Sequence, residues 1–302
     1  MTQIPFEGGG EWPRLMRSMT PAVLHGFTSL IYREAGIHLS DAKQGLIVGR
    51  LGKRLRALEL ATFRDYLDRV KHDPDERVEM LNCIATNETH FFRESKHFDL
   101  LRDRILPELV AAADAGTRAR SIRVWSAGCS TGEEPFSLAM LLLDALPAWS
   151  IDILGTDIST RVLDAARVAL WPLRKSSEIP PHFLHRYMLR GTGAQQGKMK
   201  ATDYLRSVVR FERLNLNDAR YAVDGKFDLI FCRNVLIYFD NASRHGVVSR
   251  LVDHLSDPGF LFVGHAESLA GVTDAVRCVT PTVYSLPDPD STHNFRRLHR
   301  AQ

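Results

Sequence analysis

Residues 124–140, VWSAGCSTGEEPFSLAM, determine the class of fold. A run of β-forming apolar residues ends in small side chains, and Gly128 and Gly132 then permit a tight backbone turn. Residues 133–135, Glu-Glu-Pro, begin an amphipathic helix directly after the turn. A strand, a glycine-bearing loop and a helix N-terminus in this order form a unit with which open α/β sheets bind nucleotide-like ligands. The stretch therefore predicts an α/β domain with a candidate ligand loop.

This loop differs from the two common phosphate-binding patterns. Cys129, Ser130 and Thr131 separate its glycines, which excludes a GxGxxG pattern, and no Lys-Ser or Lys-Thr pair follows the second glycine. Two carboxylates at the start of the helix would repel a pyrophosphate and attract a cation. An ordinary helix N-terminus with favourable acidic residues is the alternative interpretation. If the loop binds a ligand, these carboxylates favour one that carries positive charge.

Strands and helices alternate from about residue 95 onward. A long helix is expected over residues 95–115, with a kink at Pro107. Alternation of this kind predicts a mostly parallel sheet that helices cover on both faces. The expected strands, six or seven in one doubly wound sheet, are Ile122–Ala127, Ile151–Thr156, Val208–Arg213, Phe227–Cys232 and Gly259–Gly264, with a closing pair at Val276–Cys278 and Val283–Leu286.

Two of these strands end in polar residues. Asp157 follows the second strand, where an acidic side chain can accept hydrogen bonds from a ribose diol, although it could instead cap the helix that follows. The strand in residues 227–240, FDLIFCRNVLIYFD, carries Arg233 and Asn234 at its carboxyl end, where open α/β sheets bind ligands. Tyr238 follows in an apolar run, where an aromatic residue is usually part of the core.

The first part of the chain has a different pattern. Between residues 20 and 84 apolar side chains recur at helical spacing, and Ser40-Asp41 and Asp73-Pro74 are typical helix starts. This pattern predicts a small domain of about four helices over residues 19–84.

The composition is that of a packed protein, with 302 residues of which 44% are hydrophobic and 25% charged. Its four cysteines have neither CxxC nor Cys/His ligand spacing, so no disulfide framework and no metal site are expected. No apolar run is long enough for a secretion signal or a membrane span, and a cytoplasmic protein is expected. Residues 1–18 lack periodicity and predict a disordered arm, while residues 288–302 predict a polar tail.

Five motifs together resemble the CheR-type chemotaxis-receptor protein-glutamate O-methyltransferases. The motifs are TNETHFFRE (residues 86–94), WSAGCSTGEEPFSLAM, TDIS, FCRNVLIYF and GHAES, and the resemblance runs from about Thr20 to Leu286. It implies an all-α N-terminal domain, followed over residues 85–287 by a class I, Rossmann-like methyltransferase domain. That domain is expected to hold a mostly parallel seven-stranded sheet and a small antiparallel β-subdomain inserted at about 187–206.

The resemblance also implies the cofactor, S-adenosylmethionine, and its product, S-adenosylhomocysteine. Arg93 and Tyr238 would lie beside the transferred methyl group as the catalytic residues, and the family pattern favours Glu134 over Glu133 at the cofactor. A glutamate acceptor with a pKa of about 4.3 is ionised at neutral pH, so the reaction needs no general base. The residues implied around the cofactor are Asn87, Thr89, Arg93, Glu134, Asp157, Asn215, Leu216, Arg233 and Asn234.

A basic segment fits a receptor-binding role. Residues 42–58 contain five basic residues and no acidic one, so this segment carries +5 and the rest of the chain −2. On a helical wheel Ile47, Leu51 and Leu55 share one face, opposite the basic residues. We hypothesise that this basic stripe docks an acidic receptor helix; a solvated helix face is the alternative. The stripe consists of Lys43, Arg50, Lys53 and Arg54.

The stretch RGTGAQQG, residues 190–197, reads as the turn of an inserted hairpin. In the resembled family some members use this subdomain to capture the C-terminal peptide of a receptor by strand addition. Gly191, Gly193 and Gly197 are expected to supply positive-φ positions for such a peptide tether. The alternative is a structural hairpin that shields the cofactor cleft.

Two other functions are open. A pI near 8.7 and the basic stripe suggest a nucleic-acid methyltransferase, but residues 233–239, RNVLIYF, lack the Asn-Pro-Pro-aromatic clamp that holds a flipped base. A catalytically silent, cofactor-binding signalling adaptor is the other alternative. The presence of every expected motif residue argues against it. The expected partners are the cytoplasmic domains of chemotaxis receptors, with no nucleic acid and no membrane insertion, and the protein is expected to be a monomer.

Overall fold

A computed structural model describes residues 11–287, which divide into two compact units, 11–86 and 87–287. Residues 1–10 of the expected arm and the expected tail over 288–302 lie outside the described residues. The first unit is entirely helical. Its helices are α1 (Glu11–Ser18), α2 (Pro21–Ala35), α3 (Gln44–Ala57), α4 (Phe63–His72) and α5 (Pro74–Ile84).

The expectation of a disordered arm is wrong for residues 11–18, which form α1. Leu15 and Met19 are buried, and their packing within this unit supports a helix that the local sequence does not signal. The expected start at Asp73-Pro74 is confirmed, since Asp73 caps α5 by accepting hydrogen bonds from the backbone N–H groups of Asp75 and Glu76.

The second unit holds two sheets. Its strands are β1 (Ser121–Ala127), β2 (Ser150–Asp157), β3 (Leu170–Pro172), β4 (Met188–Arg190), β5 (Lys198–Ala201), β6 (Val209–Arg213), β7 (Phe227–Cys232), β8 (Leu255–Val263), β9 (Arg277–Thr280) and β10 (Val283–Ser285). The larger sheet has the order β6-β2-β1-β7-β8-β10-β9 and is parallel from β6 to β8, with β10 antiparallel to both of its neighbours. The predicted mostly parallel seven-stranded sheet is confirmed.

Helices cover both faces of this sheet. Successive residues of a strand point to opposite sides, and in β1 both sides are buried. Val124 of β1 packs in one apolar core and Trp125 in the other. The helices of this unit are α6 (Lys96–Leu100), α7 (Leu106–Asp114), α8 (Glu133–Ala145), α9 (Thr160–Val168), α10 (Pro181–Tyr187), α11 (Asp203–Arg206) and α12 (Asn241–Asp253). Within residues 11–287, none of the helices has the length and apolar character that crossing a bilayer would require.

The expected long helix over 95–115 is one continuous helix with an irregular turn. A π-helical turn, Leu101–Ile105, joins α6 to α7 just before Pro107. Proline has no backbone N–H to donate to the preceding turn, which accounts for a departure from α-helical bonding at this point.

The smaller, antiparallel sheet has the order β3-β5-β4, and β4 and β5 form the predicted hairpin. This insert begins at Leu170, earlier than the expected boundary of about 187, because β3 also belongs to it. The sequence did not reveal β3, which is three residues long and contains Pro172. Proline is tolerated there because β3 is an edge strand.

Candidate functional site

The glycine loop between β1 and α8 is held by Asp157 at the end of β2. One carboxylate oxygen of Asp157 accepts a hydrogen bond from Ser130 N at 2.9 Å, and the other accepts one from Ser159 N at 2.9 Å. Burial raises the pKa of Asp157, although the backbone N–H donors act in the opposite direction. Ser159, and not Asp157, is the N-cap residue of α9. Ile158 N–H is a third backbone donor to this carboxylate, which has about four acceptor positions, so Asp157 shapes the loop and can accept one further hydrogen bond.

Two glycines are required in this loop. Gly128 and Gly132 have φ values of +82° and +92°, in the left-handed region that favours glycine. A Cβ atom on Gly128 would lie 2.5 Å from a methyl carbon of Val235, in the segment that follows β7. The loop therefore lies directly against the carboxyl end of β7.

The adjacent acids Glu133 and Glu134 have different partners. Glu133 is buried, and its carboxylate accepts hydrogen bonds from Lys175 Nζ at 2.7 Å and from Thr131 Oγ1 at 2.6 Å. Glu134 accepts from Ser126 Oγ at 2.6 Å and from Arg233 Nη1 at 3.0 Å. Glu133 is thus neutralised within an ion pair, whereas Glu134 belongs to the polar network at the strand ends.

Arg233 is the centre of that network. Its guanidinium group is only 2% exposed and donates to Glu94 Oε2 at 2.9 and 3.2 Å, to Glu134, and to the backbone oxygen of Arg93. Desolvation pushes the pKa of Glu94 up, but the charge and hydrogen bonds of Arg233 bring it below its usual value. One cation between two carboxylates leaves one negative charge in excess, which favours a cationic ligand.

The side-chain oxygen of Asn234 accepts no hydrogen bond from the described residues. Its backbone N–H donates to Glu267 Oε2 at 2.9 Å, and its side-chain Nδ2 donates to Glu94 Oε1 at 3.2 Å. The amide oxygen of Asn234 is buried and has no hydrogen-bond partner among residues 11–287. Buried polar atoms are normally satisfied, so this oxygen is suited to an N–H or O–H group of a ligand.

The segment over residues 87–94 is tied to the glycine loop and to the residues that follow it. Ser130 Oγ donates to the backbone oxygen of Asn87 at 3.1 Å, and Lys175 Nζ donates to that of Thr89 at 2.8 Å. Phe91 is buried against Trp171, with ring centroids 5.0 Å apart. These contacts bring Asn87 and Thr89 to the edge of the sheet where Asp157, Glu134, Arg233 and Asn234 meet.

The two expected catalytic residues have few partners of their own. The guanidinium group of Arg93 donates to the backbone oxygen of Glu88 at 3.0 Å. Tyr238 ends a 3₁₀ turn, Leu236–Tyr238, and is half-buried, so it is not one of the buried core aromatics.

Asn215 and Leu216 follow β6, which pairs with β2. The side-chain oxygen of Asn215 accepts from Asn217 N at 3.0 Å, and the backbone oxygen of Leu216 accepts from the Tyr221 hydroxyl at 2.8 Å. These two bonds shape the loop after β6.

The sequence motifs alone predict no role for Glu94, in TNETHFFRE, or for Glu267, in GHAES. Glu267 is buried and accepts hydrogen bonds from Gly264 N at 2.6 Å, from Asn234 N at 2.9 Å and from Ile237 N at 3.1 Å. The acidic residue in each motif was the available signal, but its partners are remote in sequence.

Glu94, His97 and His265 bring potential metal-ligating atoms within 4.8 Å of one another. The Glu94 oxygens, however, already accept four hydrogen bonds, from two nitrogens of Arg233, from Asn234 Nδ2 and from His265 N. A carboxylate has about four acceptor positions, so Glu94 has none left for a metal ion.

In the helical unit, the four residues of the basic stripe have different surroundings. Ile47, Leu51 and Leu55 are buried, as expected for the apolar face of α3. Arg54, however, pairs with the buried Glu76 at 2.6 and 2.8 Å, because this carboxylate would otherwise lack a counter-charge.

The remaining stripe residues divide into one paired and two exposed side chains. Arg50 donates to the backbone oxygen of Ile84 and to Thr86 Oγ1. Lys43 and Lys53 are exposed. Among the stripe residues that the structure describes, only these two lysines are exposed and form no described hydrogen bond or ion pair.

The insert departs from expectation at one glycine. Gly193 and Gly197 have φ values of +55° and +81°, whereas Gly191 is not among the positive-φ residues. A Cβ atom on Gly191 would lie 2.0 Å from the backbone oxygen of Gln195, so glycine is needed there for close approach within the turn. Leu189 of β4 is 56% exposed.

Comparison with known proteins gives consistent matches. Residues 87–285 match the family described as "CheR methyltransferase, SAM binding domain", and residues 23–85 match "CheR methyltransferase, all-alpha domain". The chain is 40% identical over 257 residues to "Chemotaxis protein methyltransferase 2" of Pseudomonas aeruginosa, covering 84% of this chain and 89% of that protein. It is 38% identical over 275 residues to "Chemotaxis protein methyltransferase" of Salmonella typhimurium, with coverages of 89% and 91%. The Escherichia coli protein of the same name is also 38% identical over 275 residues, with coverages of 89% and 92%.

Proposed function

Because the chain belongs to the CheR methyltransferase family, we propose that it methylates glutamate side chains on the cytoplasmic domains of chemotaxis receptors. The chain is a methyltransferase, and its cofactor is S-adenosylmethionine. The product of the proposed reaction is a glutamate methyl ester, together with S-adenosylhomocysteine.

The observation that best supports the site assignment is the Glu94–Arg233–Glu134 network beside Asp157 and Asn234. S-adenosylmethionine supplies a methyl group on a positively charged sulfonium. The negative excess of the network suits that charge, and the unpartnered Asn234 oxygen and the remaining acceptor position of Asp157 suit N–H and O–H donors. We assign cofactor binding to the set expected from the sequence: Asn87, Thr89, Arg93, Glu134, Asp157, Asn215, Leu216, Arg233 and Asn234.

The chemistry asks little of the protein beyond positioning. A receptor carboxylate, ionised at neutral pH, forms a bond from its oxygen to the methyl carbon while the carbon–sulfur bond breaks and its electron pair remains on sulfur. No proton is transferred, so no general base is needed. The task of Arg93 and Tyr238 is then to orient the acceptor and the methyl donor.

The direct test is transfer of label from S-adenosylmethionine carrying a radioactive methyl group to a purified receptor cytoplasmic domain. We expect the label to be released by mild base, because methyl esters hydrolyse there and N-methyl groups do not. Label on added RNA or DNA, with none on the receptor, would favour a nucleic-acid methyltransferase. Cofactor binding without transfer to either would favour a silent adaptor.

Arg93→Ala and Tyr238→Phe are each expected to lower kcat about 10- to 100-fold, equivalent to roughly 1.4–2.7 kcal/mol of transition-state stabilisation. Steady-state kinetics and thermal unfolding of the same preparations measure turnover and stability. Matched controls are Arg104→Ala and Tyr204→Phe, at exposed positions of the same unit, which should leave kcat unchanged. Normal turnover in both active-site variants would contradict the roles of Arg93 and Tyr238.

We propose that Lys43 and Lys53 contribute to receptor docking. The double change Lys43→Glu, Lys53→Glu is expected to raise the KM for receptor about 3- to 10-fold, and salt should raise the wild-type KM in the same direction. Cofactor affinity should not change. The control is Lys71→Glu, an exposed lysine on α4 of the same unit. Arg54→Glu is unsuitable as a test because it breaks the pair with Glu76. A KM that neither salt nor the lysine changes affect would contradict the proposal.

We further propose that β4 captures a C-terminal receptor peptide. In the described part of the chain β4 pairs with β5 alone, so its other edge is available for strand addition. Gly191, Gly193 and Gly197 would support this tether by shaping the adjoining turn. A receptor without its final residues should be methylated more slowly at low concentration and normally at saturation. Calorimetric titration with receptor C-terminal peptides checks the contact, and no heat with any such peptide would leave the insert as a structural hairpin.

A further inference from the structure

The carboxylate of Glu267 is buried at the end of the sheet and receives backbone N–H groups from two loops. Gly264, directly after β8, donates to it at 2.6 Å. From the loop after β7, Asn234 donates at 2.9 Å and Ile237 at 3.1 Å. Glu267 therefore joins the loops that follow two neighbouring strands of the sheet.

The same contact is close enough to require glycine at position 264. A Cβ atom there would lie 2.5 Å from Asn234 Nδ2 and 2.8 Å from both Asn234 N and Glu267 Oε2. Contacts under 3.0 Å force a displacement, and here the nearest atoms belong to Asn234 itself. The position of Asn234 thus depends on both Gly264 and Glu267.

Asn234 is held in an unfavourable backbone conformation. Its φ is +59°, in the left-handed region, which is strained for most non-glycine residues and which asparagine adopts at a smaller cost. The hydrogen bond from its N–H to Glu267 helps to offset that cost. At the same time the bond from Nδ2 to Glu94 fixes the orientation of the side-chain amide, because a flipped amide would set its oxygen against a carboxylate.

We propose that Glu267 is a positioning residue, which holds Asn234 so that its buried amide oxygen accepts a hydrogen bond from the cofactor. The inference rests on the proposed role of Asn234 in cofactor binding. It adds that this role depends on Glu267 of the GHAES motif. Glu267 suits the task because both of its oxygens accept N–H groups. Glutamine in its place would set an NH₂ group against a backbone donor in either orientation of the amide.

The test is calorimetric titration with S-adenosylhomocysteine, which requires no turnover. Glu267→Gln is expected to weaken binding about 10- to 100-fold, and Asn234→Ala should do the same. Because the two residues act through one contact, the double variant should bind about as weakly as Asn234→Ala alone. Gly264→Ala displaces Asn234 without changing any charge, so it should also weaken binding and serves if Glu267→Gln does not fold.

The matched control is Asp228→Asn. Asp228 also accepts a backbone N–H, that of Arg123 at 2.8 Å, and pairs with Arg118, but it lies near the start of β7. Asp228→Asn should lower the unfolding temperature without changing the affinity for S-adenosylhomocysteine. Unchanged affinity in Glu267→Gln and Gly264→Ala, or additive losses in the double variant, would overturn the positioning role while wild-type binding still supported the cofactor site. Failure of the wild-type protein to bind would overturn the proposed function and this inference together.

Discussion

Arg233→Ala should lower the unfolding free energy of the protein by about 3–5 kcal/mol, the range measured when one partner is removed from a buried ion pair. The reason is that Glu94 and Glu134 both rely on this guanidinium group, which is only 2% exposed. Without it, two largely buried carboxylates repel one another with no cation between them. Affinity for S-adenosylhomocysteine should fall at least tenfold, because Asn234 and Glu94 share the same network.

Urea unfolding at neutral pH measures the stability change, and calorimetry on the folded variants measures affinity. Arg233→Lys keeps a charge but loses the forked geometry, so its losses should be intermediate. Arg102→Ala removes an exposed arginine with carboxylate partners, and it should change stability by no more than about 0.5 kcal/mol. An Arg233→Ala protein as stable as wild type would show that the network does not depend on its cation.

The unfolding free energy of the protein should fall by about 3 kcal/mol when the pH is lowered from 6.5 to 4, because of the depressed pKa of His97. Burial lowers the pKa of His97 from 6.5 to about 4, and the charges of Arg233 and His265 act in the same direction against the opposing effect of Glu94. Below pH 6.5 the unfolded chain takes up a proton that the folded imidazole does not bind until about pH 4. The contribution is therefore complete above pH 6.5 and is lost as the pH falls through this interval.

The comparison is between wild type and His97→Gln, unfolded in urea at pH 7 and at pH 4.5. Glutamine does not titrate, and its amide group can replace the imidazole in the hydrogen bond that joins His97 Nε2 and Thr282 Oγ1 at 2.8 Å. His25→Gln, at a residue on α2 of the other unit, is the control for replacing a histidine by glutamine. Equal pH dependence in wild type and His97→Gln would mean that His97 binds a proton equally well in the folded and unfolded states.

The fold could be predicted from the sequence because its signals are local. The apolar run over 227–232 predicts β7 with its observed bounds, and adjacent residues indicate the glycine loop between β1 and α8. β3 was missed because a three-residue strand with a proline gives almost no periodic signal. Prediction of local structure therefore fails where an element is short and is stabilised by its neighbours in the sheet.

The partners in the site could not be predicted, since they depend on long-range packing. A helical wheel sorts the faces of α3 correctly, but it cannot show that Arg54 meets Glu76 of another helix. Nor does a strand-end motif indicate that Arg233 lies between Glu94 and Glu134. A positive φ at Gly191 is expected because glycine often adopts one, whereas the chain needs glycine there for space.

The contacts of Glu94 determine when, during synthesis of the chain, this part of the structure can form. Its partner Arg233 lies 139 residues later in the chain, and the His265 N–H that it accepts lies 171 residues later. Contacts of such long separation form late, after the loop-closure entropy between them has been overcome. A nascent chain still attached to the ribosome before β8 has emerged therefore lacks contacts on which the proposed cofactor site depends. Retention of a partly synthesised chain by immobilised S-adenosylhomocysteine should accordingly begin only after residue 267 is accessible.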